Sequence, residues 1–265
     1  MRLTVVGCSG SMSGPESPSS CYLLQAEGPA GPGGAVRTWN VLLDLGSGAL
    51  GALMRYVDPA QLDLVVLSHL HADHMTDMTG LQVYRRYHPE GALGPVRVLG
   101  PAETPARVRA VAGDDEDADL STEFTFEAFV PGTAVHVGPL RVEPVAVEHP
   151  VPAYGVRVTG PSEDGRREVV LAYTGDTDSC PGLAELAADA DLLLSEAAFQ
   201  EGRDTTRGVH LTGRRAGELA ASSAVSRLVL THLPPWNDPE VVRGEAHEVY
   251  HGPIDLAEPG ATWVL

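Results

Sequence analysis

The chain has 265 residues, 18 basic and 36 acidic side chains, a formal net charge of −18 and 43% hydrophobic residues, so it carries enough apolar material for a packed core. Every basic residue is arginine, which excludes a Schiff-base lysine, a pyridoxal-phosphate anchor and a GxxxxGK phosphate loop. The acidic balance argues against gripping long nucleic acids, which takes many clustered cations, but leaves a small anionic substrate open, because bound metal ions invert the local field.

The hydropathy pattern predicts strands at residues 3–6, 21–25, 40–45, 62–67 and 96–99 in the first half, with helices at 76–87 and 104–112. A Gly/Ser/Pro loop fills 7–20, and 27–34 reads as a hairpin connection. The second half repeats this grammar. It has strands at 140–147, 155–158, 168–173, 192–195 and 228–231, and helices at 183–188, 212–221 and 239–250. Clustered strands with intervening helices, occurring twice, predict two β-rich halves packed face to face with helices outside, in one domain spanning 1–265. No run approaches the roughly 18 apolar residues of a membrane span. Cys8, Cys21 and Cys180 are too few and odd in number for a disulfide framework, which points to a reducing cytoplasm.

Ten histidines are present, and three crowd into His69-x-His71-x-Asp73-His74, straight after a predicted buried strand. Alternation along an extended segment puts His69 and His71 on one side. Asp73 and His74 then fall at the turn into the next helix and point elsewhere. Ligands aimed at two neighbouring points are what a dinuclear metal site needs, and imidazole with carboxylate suits zinc, with manganese or iron as alternatives. Asp176 follows a strand end after Gly175, and a carboxylate has two oxygens with which to bridge. His149 and His232 also close predicted strands, where a rigid element can aim an imidazole.

The order Asp44, His69-x-His71-x-Asp73-His74, His149, Asp176 and His232 resembles the metallo-β-lactamase superfamily. The resemblance implies a four-layer αβ/βα sandwich with two divalent metal ions at the lip between its sheets. It implies that His69, His71 and His149 hold one metal, that Asp73, His74 and His232 hold the other, that Asp176 bridges, and that Asp44 orients ligands without binding metal. The segments Leu194-Ser195-Glu196-Ala197 and His210-Leu211-Thr212-Gly213 narrow the likeness to the ribonuclease Z-like branch. There the position of His210, held by that of Glu196, protonates the leaving oxygen. The long arm with which tRNA-processing members clamp their substrate has no room between His149 and Asp176. Along its whole length, through Gly7-Cys8-Ser9-Gly10-Ser11, Tyr84-Arg85-Arg86-Tyr87-His88-Pro89 and Pro234-Pro235-Trp236, the chain is similar to actinobacterial cyclic-nucleotide phosphodiesterases.

That likeness implies hydrolysis of a small phosphodiester, 3′,5′-cyclic AMP to AMP, by a hydroxide bridging two metals. Asp73 or Asp176 would steer the hydroxide, and His210 would act as general acid. A 2′,3′-cyclic nucleotide or cyclic ribose phosphate is the alternative substrate, followed by tRNA 3′ ends. The likeness also implies a homodimer. Arg85 and Arg86 read as surface residues, with contact to the phosphate or a partner subunit as the other option, and His88, His136, His247 and His251 as structural or surface residues.

Overall fold

A computed structural model describes residues 1–31 and 33–265. The first half runs β1 (Arg2–Gly7), β2 (Cys21–Pro29), β3 (Val36–Leu43), α1 (Ala49–Leu53), β4 (Leu64–Val66), α2 (Ala72–Met75), α3 (Met78–Arg86), β5 (Val96–Gly100), α4 (Thr104–Ala112) and β6 (Phe124–Ala128). The second runs β7 (Val135–Val137), β8 (Leu140–Val147), β9 (Ala153–Pro161), β10 (Glu168–Tyr173), α5 (Gly182–Ala187), β11 (Leu192–Glu196), α6 (Gly213–Ser222), β12 (Leu228–Thr231), α7 (Pro239–His247), β13 (Ile254–Leu256) and β14 (Thr262–Val264). Two seven-stranded sheets result, ordered β14-β1-β2-β3-β4-β5-β6 and β13-β12-β11-β10-β9-β8-β7.

Each sheet begins antiparallel and turns parallel. In the first, β1, β2 and β3 form a meander, and β3 to β6 run parallel. In the second, β7 to β10 alternate, and β10 to β13 run parallel. Strands β8, β10, β11 and β12 therefore all point the same way. Their carboxyl ends share one edge, where ligands collect in α/β sheets.

Three apolar clusters mark four layers. Leu3, Tyr22, Leu24, Leu43, Val156, Leu171, Tyr173 and Leu194 pack between the sheets. Leu53, Met75, Met78, Leu81 and Val108 cover the outer face of the first sheet, and Leu183, Leu186, Ala216, Ala220 and Val242 that of the second. This is the α/β sandwich expected from sequence.

Three local differences have physical causes. The helix expected over 76–87 is split, because Asp77 donates its backbone N–H to Leu45 O and accepts Leu50 N–H on its side chain, which interrupts the ladder between α2 and α3. The edge strands β6, β7, β13 and β14 are shorter than or as short as five residues, and none was expected. Finally, Arg85 is not a surface residue. It is 5% exposed and donates to Gly94 O, while Arg86 pairs with Glu123, so both arginines tie the end of α3 to the chain around β5 and β6. No described helix is long and apolar enough to cross a membrane.

Candidate metal centre

The loops that leave β4, β8, β10 and β12 bring seven imidazole and carboxylate groups together. One group comprises His69, His71 and His149, a second Asp73, His74, Asp176 and His232, and a third, which shares His232, adds Glu196 and His210. In the first, His69 Nε2 and His149 Nε2 each lie 3.1 Å from His71 Nδ1. In the second, His232 Nε2 is 3.0 Å from Asp73 Oδ2 and 3.2 Å from His74 Nε2, and His74 Nε2 is 3.4 Å from Asp73 Oδ2. Asp176 touches both. Its Oδ2 is 3.7 Å from His69 Nε2 and 3.4 Å from His232 Nε2, and its Oδ1 is 3.3 Å from His74 Nε2.

Donor atoms held about 2.0–2.2 Å from one tetrahedral ion lie roughly 3.3–3.6 Å apart, close to these separations. The enclosed Asp176 Oδ1 has no hydrogen-bond partner, and neither does His232 Nδ1. An unpaired carboxylate oxygen facing imidazole nitrogens in a dry site is costly without a cation. The donor set is nitrogen and oxygen only, which fits borderline divalent metals.

Neighbouring groups fix the tautomers. His74 Nδ1 donates to Asp44 Oδ2 at 2.8 Å, and His149 Nδ1 donates to Val209 O at 2.9 Å. Ser68 Oγ gives its hydrogen to Asp44, so it accepts from His69 Nδ1 at 3.1 Å. All three rings therefore turn Nε2 toward the cluster, bare in His69 and His149 and, in the metal-free chain, protonated in His74. Asp44 is fully buried at a left-handed φ of 59° and accepts in addition from Ser68 N and Tyr173 Oη. His232 also sits in the left-handed region, at φ 57°. Such strain collects at functional sites.

The charges divide accordingly. Burial, with help from neighbouring histidines, holds His69, His71 and His149 below the usual imidazole range. Burial also acts against charge on Asp73 and Asp176, but the surrounding imidazoles outweigh it and keep both carboxylates well below the ordinary range. His74 goes the other way. Asp176 and Asp44 overcome burial and hold its imidazolium well above normal.

His210 stands beside the cluster, its ring centroid 5.5 Å from those of His149 and His232. Its Nδ1 donates to Glu196 Oε1 at 2.9 Å. Glu196, fully buried at the end of β11, also accepts from Thr177 N, Leu211 N and Ala198 N, so its carboxylate is fixed by four donors. Burial pushes the His210 imidazolium down, but the Glu196 and Asp176 carboxylates more than offset this and raise it to about 9. All the candidate site residues thus lie together. His136, His247 and His251 are exposed and His88 half-buried. Ser68, Tyr173 and the Val209 carbonyl were not anticipated; they act through short local contacts that have no sequence motif.

The beta-lactamase superfamily domain model matches residues 39–233. The Mycobacterium leprae protein ML1173 is 43% identical, with 99% of this chain and 88% of that one aligned. The Bacillus subtilis "Probable metallo-hydrolase YhfI" is 31% identical over 99% of both chains, and its crystal structure superposes with a TM-score of 0.81 at 28% identity, covering 99% of this chain and 98% of that one. A ribonuclease Z of Myxococcus xanthus is 29% identical over 84% of this chain and 87% of its own. The short form of human tRNase Z and unliganded yeast PDE1 share the fold, with TM-scores of 0.72 and 0.73 at 19% and 12% identity; the former covers 99% of this chain and 98% of its own, the latter 100% and 99%. The chain belongs to the metallo-beta-lactamase superfamily and is a metallo-hydrolase of that fold.

Proposed function

We propose that the protein is a metal-dependent phosphodiesterase that opens a small cyclic nucleotide, converting 3′,5′-cyclic AMP to AMP. The observation that carries this reading is His210, fixed by Glu196 at the edge of the two donor groups. A site that only bound its ligand would need no proton donor, whereas cleavage of a phosphodiester ends on a ribose oxygen that must take a proton. The residues that would hold two divalent cations are His69, His71 and His149 for one and Asp73, His74 and His232 for the other, with Asp176 between. When bound, such ions lower the pKa of water, orient the phosphate and neutralise charge on its oxygens.

The chain's own groups do the rest. Asp73 and Asp176 are held ionised and so accept hydrogen bonds from the attacking water. Asp73, at 9% exposure against 2%, is the more open to solvent. Water oxygen bonds to phosphorus as the P–O3′ bond breaks, and the water's proton passes by way of Asp73, the more open carboxylate, to solvent. His210 carries its transferable proton on Nε2, since Nδ1 is engaged by Glu196, and passes it to O3′; solvent restores it.

Two features support a small substrate over tRNA. The chain between His149 and Asp176 is taken up by the β9–β10 hairpin, and the net charge of −18 disfavours a long polyanion. Purified protein loaded with manganese or zinc is tested against 3′,5′-cyclic AMP, 2′,3′-cyclic AMP, a cyclic ribose phosphate and precursor tRNA. AMP formed from the first substrate is the expected result. Turnover confined to another cyclic diester would move the substrate, and cleavage of precursor tRNA without AMP formation would replace the reading by a ribonuclease Z-like one.

A further inference from the structure

The segment that carries His210 has little structure of its own. Among the described residues, no backbone–backbone hydrogen bond fixes residues 205–210, which lie between β11 and α6. The segment nonetheless performs two placements, with Val209 O setting the His149 tautomer and His210 meeting Glu196. Both need positions good to a few tenths of an ångström.

One buried side chain ties this segment down from both ends. Asp178, 1% exposed and two residues beyond Asp176, accepts Arg207 Nε at 2.6 Å and Gly208 N at 2.7 Å on Oδ2. On Oδ1 it accepts Arg207 Nη2 at 3.1 Å, Arg215 Nη1 at 2.5 Å and its neighbour Ser179 N at 2.7 Å. Arg215 Nη1 also donates to His210 O at 3.1 Å. Behind the carboxylate, Asp178 N donates to Glu148 O at 2.9 Å, and Glu148 N donates to Thr177 Oγ1. The loops bearing His149, Asp176 and His210 therefore meet at a single carboxylate.

We propose that Asp178 is a positioning residue: its contacts with Arg207, Gly208 and Arg215 clamp residues 207–210 so that Val209 orients His149 and His210 stands ready to protonate the leaving oxygen. Charge-assisted bonds from two guanidinium groups to one buried carboxylate are strong and directional. They supply the rigidity that the loop backbone lacks. The part that concerns the leaving oxygen rests on the function proposed above; the clamp itself rests on geometry alone.

The test compares wild type with Asp178→Ala, and with Arg207→Ala as a milder variant that removes one largely exposed partner and leaves Arg215 and Gly208 in place. Three quantities are read: hydrogen–deuterium exchange of peptides covering 205–212, manganese affinity, and kcat at saturating manganese on cyclic AMP and on bis(p-nitrophenyl) phosphate, whose leaving group departs without a proton. The expected result is faster exchange confined to 205–212 and weaker manganese binding. With it goes a fall of at least about tenfold in kcat on cyclic AMP while bis(p-nitrophenyl) phosphate changes by less than about threefold. Unchanged exchange over 205–212, or an equal loss on both diesters with exchange raised throughout the chain, overturns the proposal. Wild type that hydrolyses bis(p-nitrophenyl) phosphate but not cyclic AMP, or neither diester, overturns the substrate reading instead, and exchange and manganese affinity then decide the clamp.

Discussion

Asp44 holds His74 from behind: its Oδ2 accepts the Nδ1 hydrogen of His74 at 2.8 Å, in a site where neither side chain meets solvent. The same oxygen accepts from Ser68 Oγ and Tyr173 Oη, so strands from both sheets converge on the group that aims one ligand. Outer partners of this kind tune a ligand they never replace. Asp44→Ala is expected to weaken metal binding at the Asp73/His74/His232 group by about 10–100-fold, with binding at His69/His71/His149 less affected. Competition titration with a chromogenic chelator measures both; equal affinities in variant and wild type would show that Asp44 has no such role.

His210 is expected to matter for the departing group and not for metal content. His210→Ala should lower kcat on cyclic AMP by roughly 10²–10⁴-fold while the metal content per chain stays at the wild-type value. Steady-state kinetics beside elemental analysis check this. Full activity in the variant removes the proton-donor role, and loss of metal would make His210 a ligand.

Gly10 allows the loop after β1 to lie against His232. A Cβ built there falls 2.1 Å from His232 O and 2.9 Å from His232 Nδ1, while the Gly10 amide donates to Leu233 O at 3.1 Å. His232 already occupies a left-handed backbone position and has little room to give. Gly10→Ala is therefore expected to cost about 1–3 kcal/mol of stability in denaturant unfolding and to weaken metal binding. An unaltered midpoint and unaltered affinity would show that the loop simply moves aside.

Metal affinity should depend on pH in a definite direction. Burial holds His69, His71 and His149 below the usual imidazole range, so they are neutral near pH 7 and have no proton to give up. For His74, burial favours the neutral form, but Asp176 and Asp44 outweigh it and the folded pKa lies well above normal. The sign follows. In the metal-free chain the protonated His74 contributes stability that is fully present below about pH 6.5 and is lost as pH rises through the folded value. A metal must displace that proton, so affinity is expected to tighten as pH rises from about 6 to 8. Calorimetric titration in buffers of different ionisation enthalpy is expected to show net proton release; affinity that is flat with pH and free of proton release would contradict the assignment.

The candidate site was largely legible because its chemistry is written in residue types at strand ends. His69, His71, Asp73 and His74 follow one short strand, and His149 and His232 close two others. The long central strands could be read from periodicity, and β8, β10 and β12 fall on the expected residues. Strands such as β13 and β14, three residues each, carry too few positions for a period to show, and their pairing is set by distant partners. Arg85 misled because an arginine at the end of a helix normally faces water, whereas here the chain folds back so that Gly94 O takes its guanidinium. Asp178 gave no signal at all. Its importance arises from Arg207 and Arg215, 29 and 37 residues away, and only the folded chain brings them together.

The central claim is that these seven side chains hold two cations beside His210. The most direct measurement is anomalous scattering from crystals of the protein grown with manganese or zinc, with elemental analysis of the same preparation. Two peaks per chain are expected, one among His69, His71 and His149 and one among Asp73, His74 and His232, both in contact with Asp176, and His71→Ala should lose the first peak and the phosphodiesterase activity. Density at neither position at saturating metal, or full turnover by His71→Ala, would contradict the account.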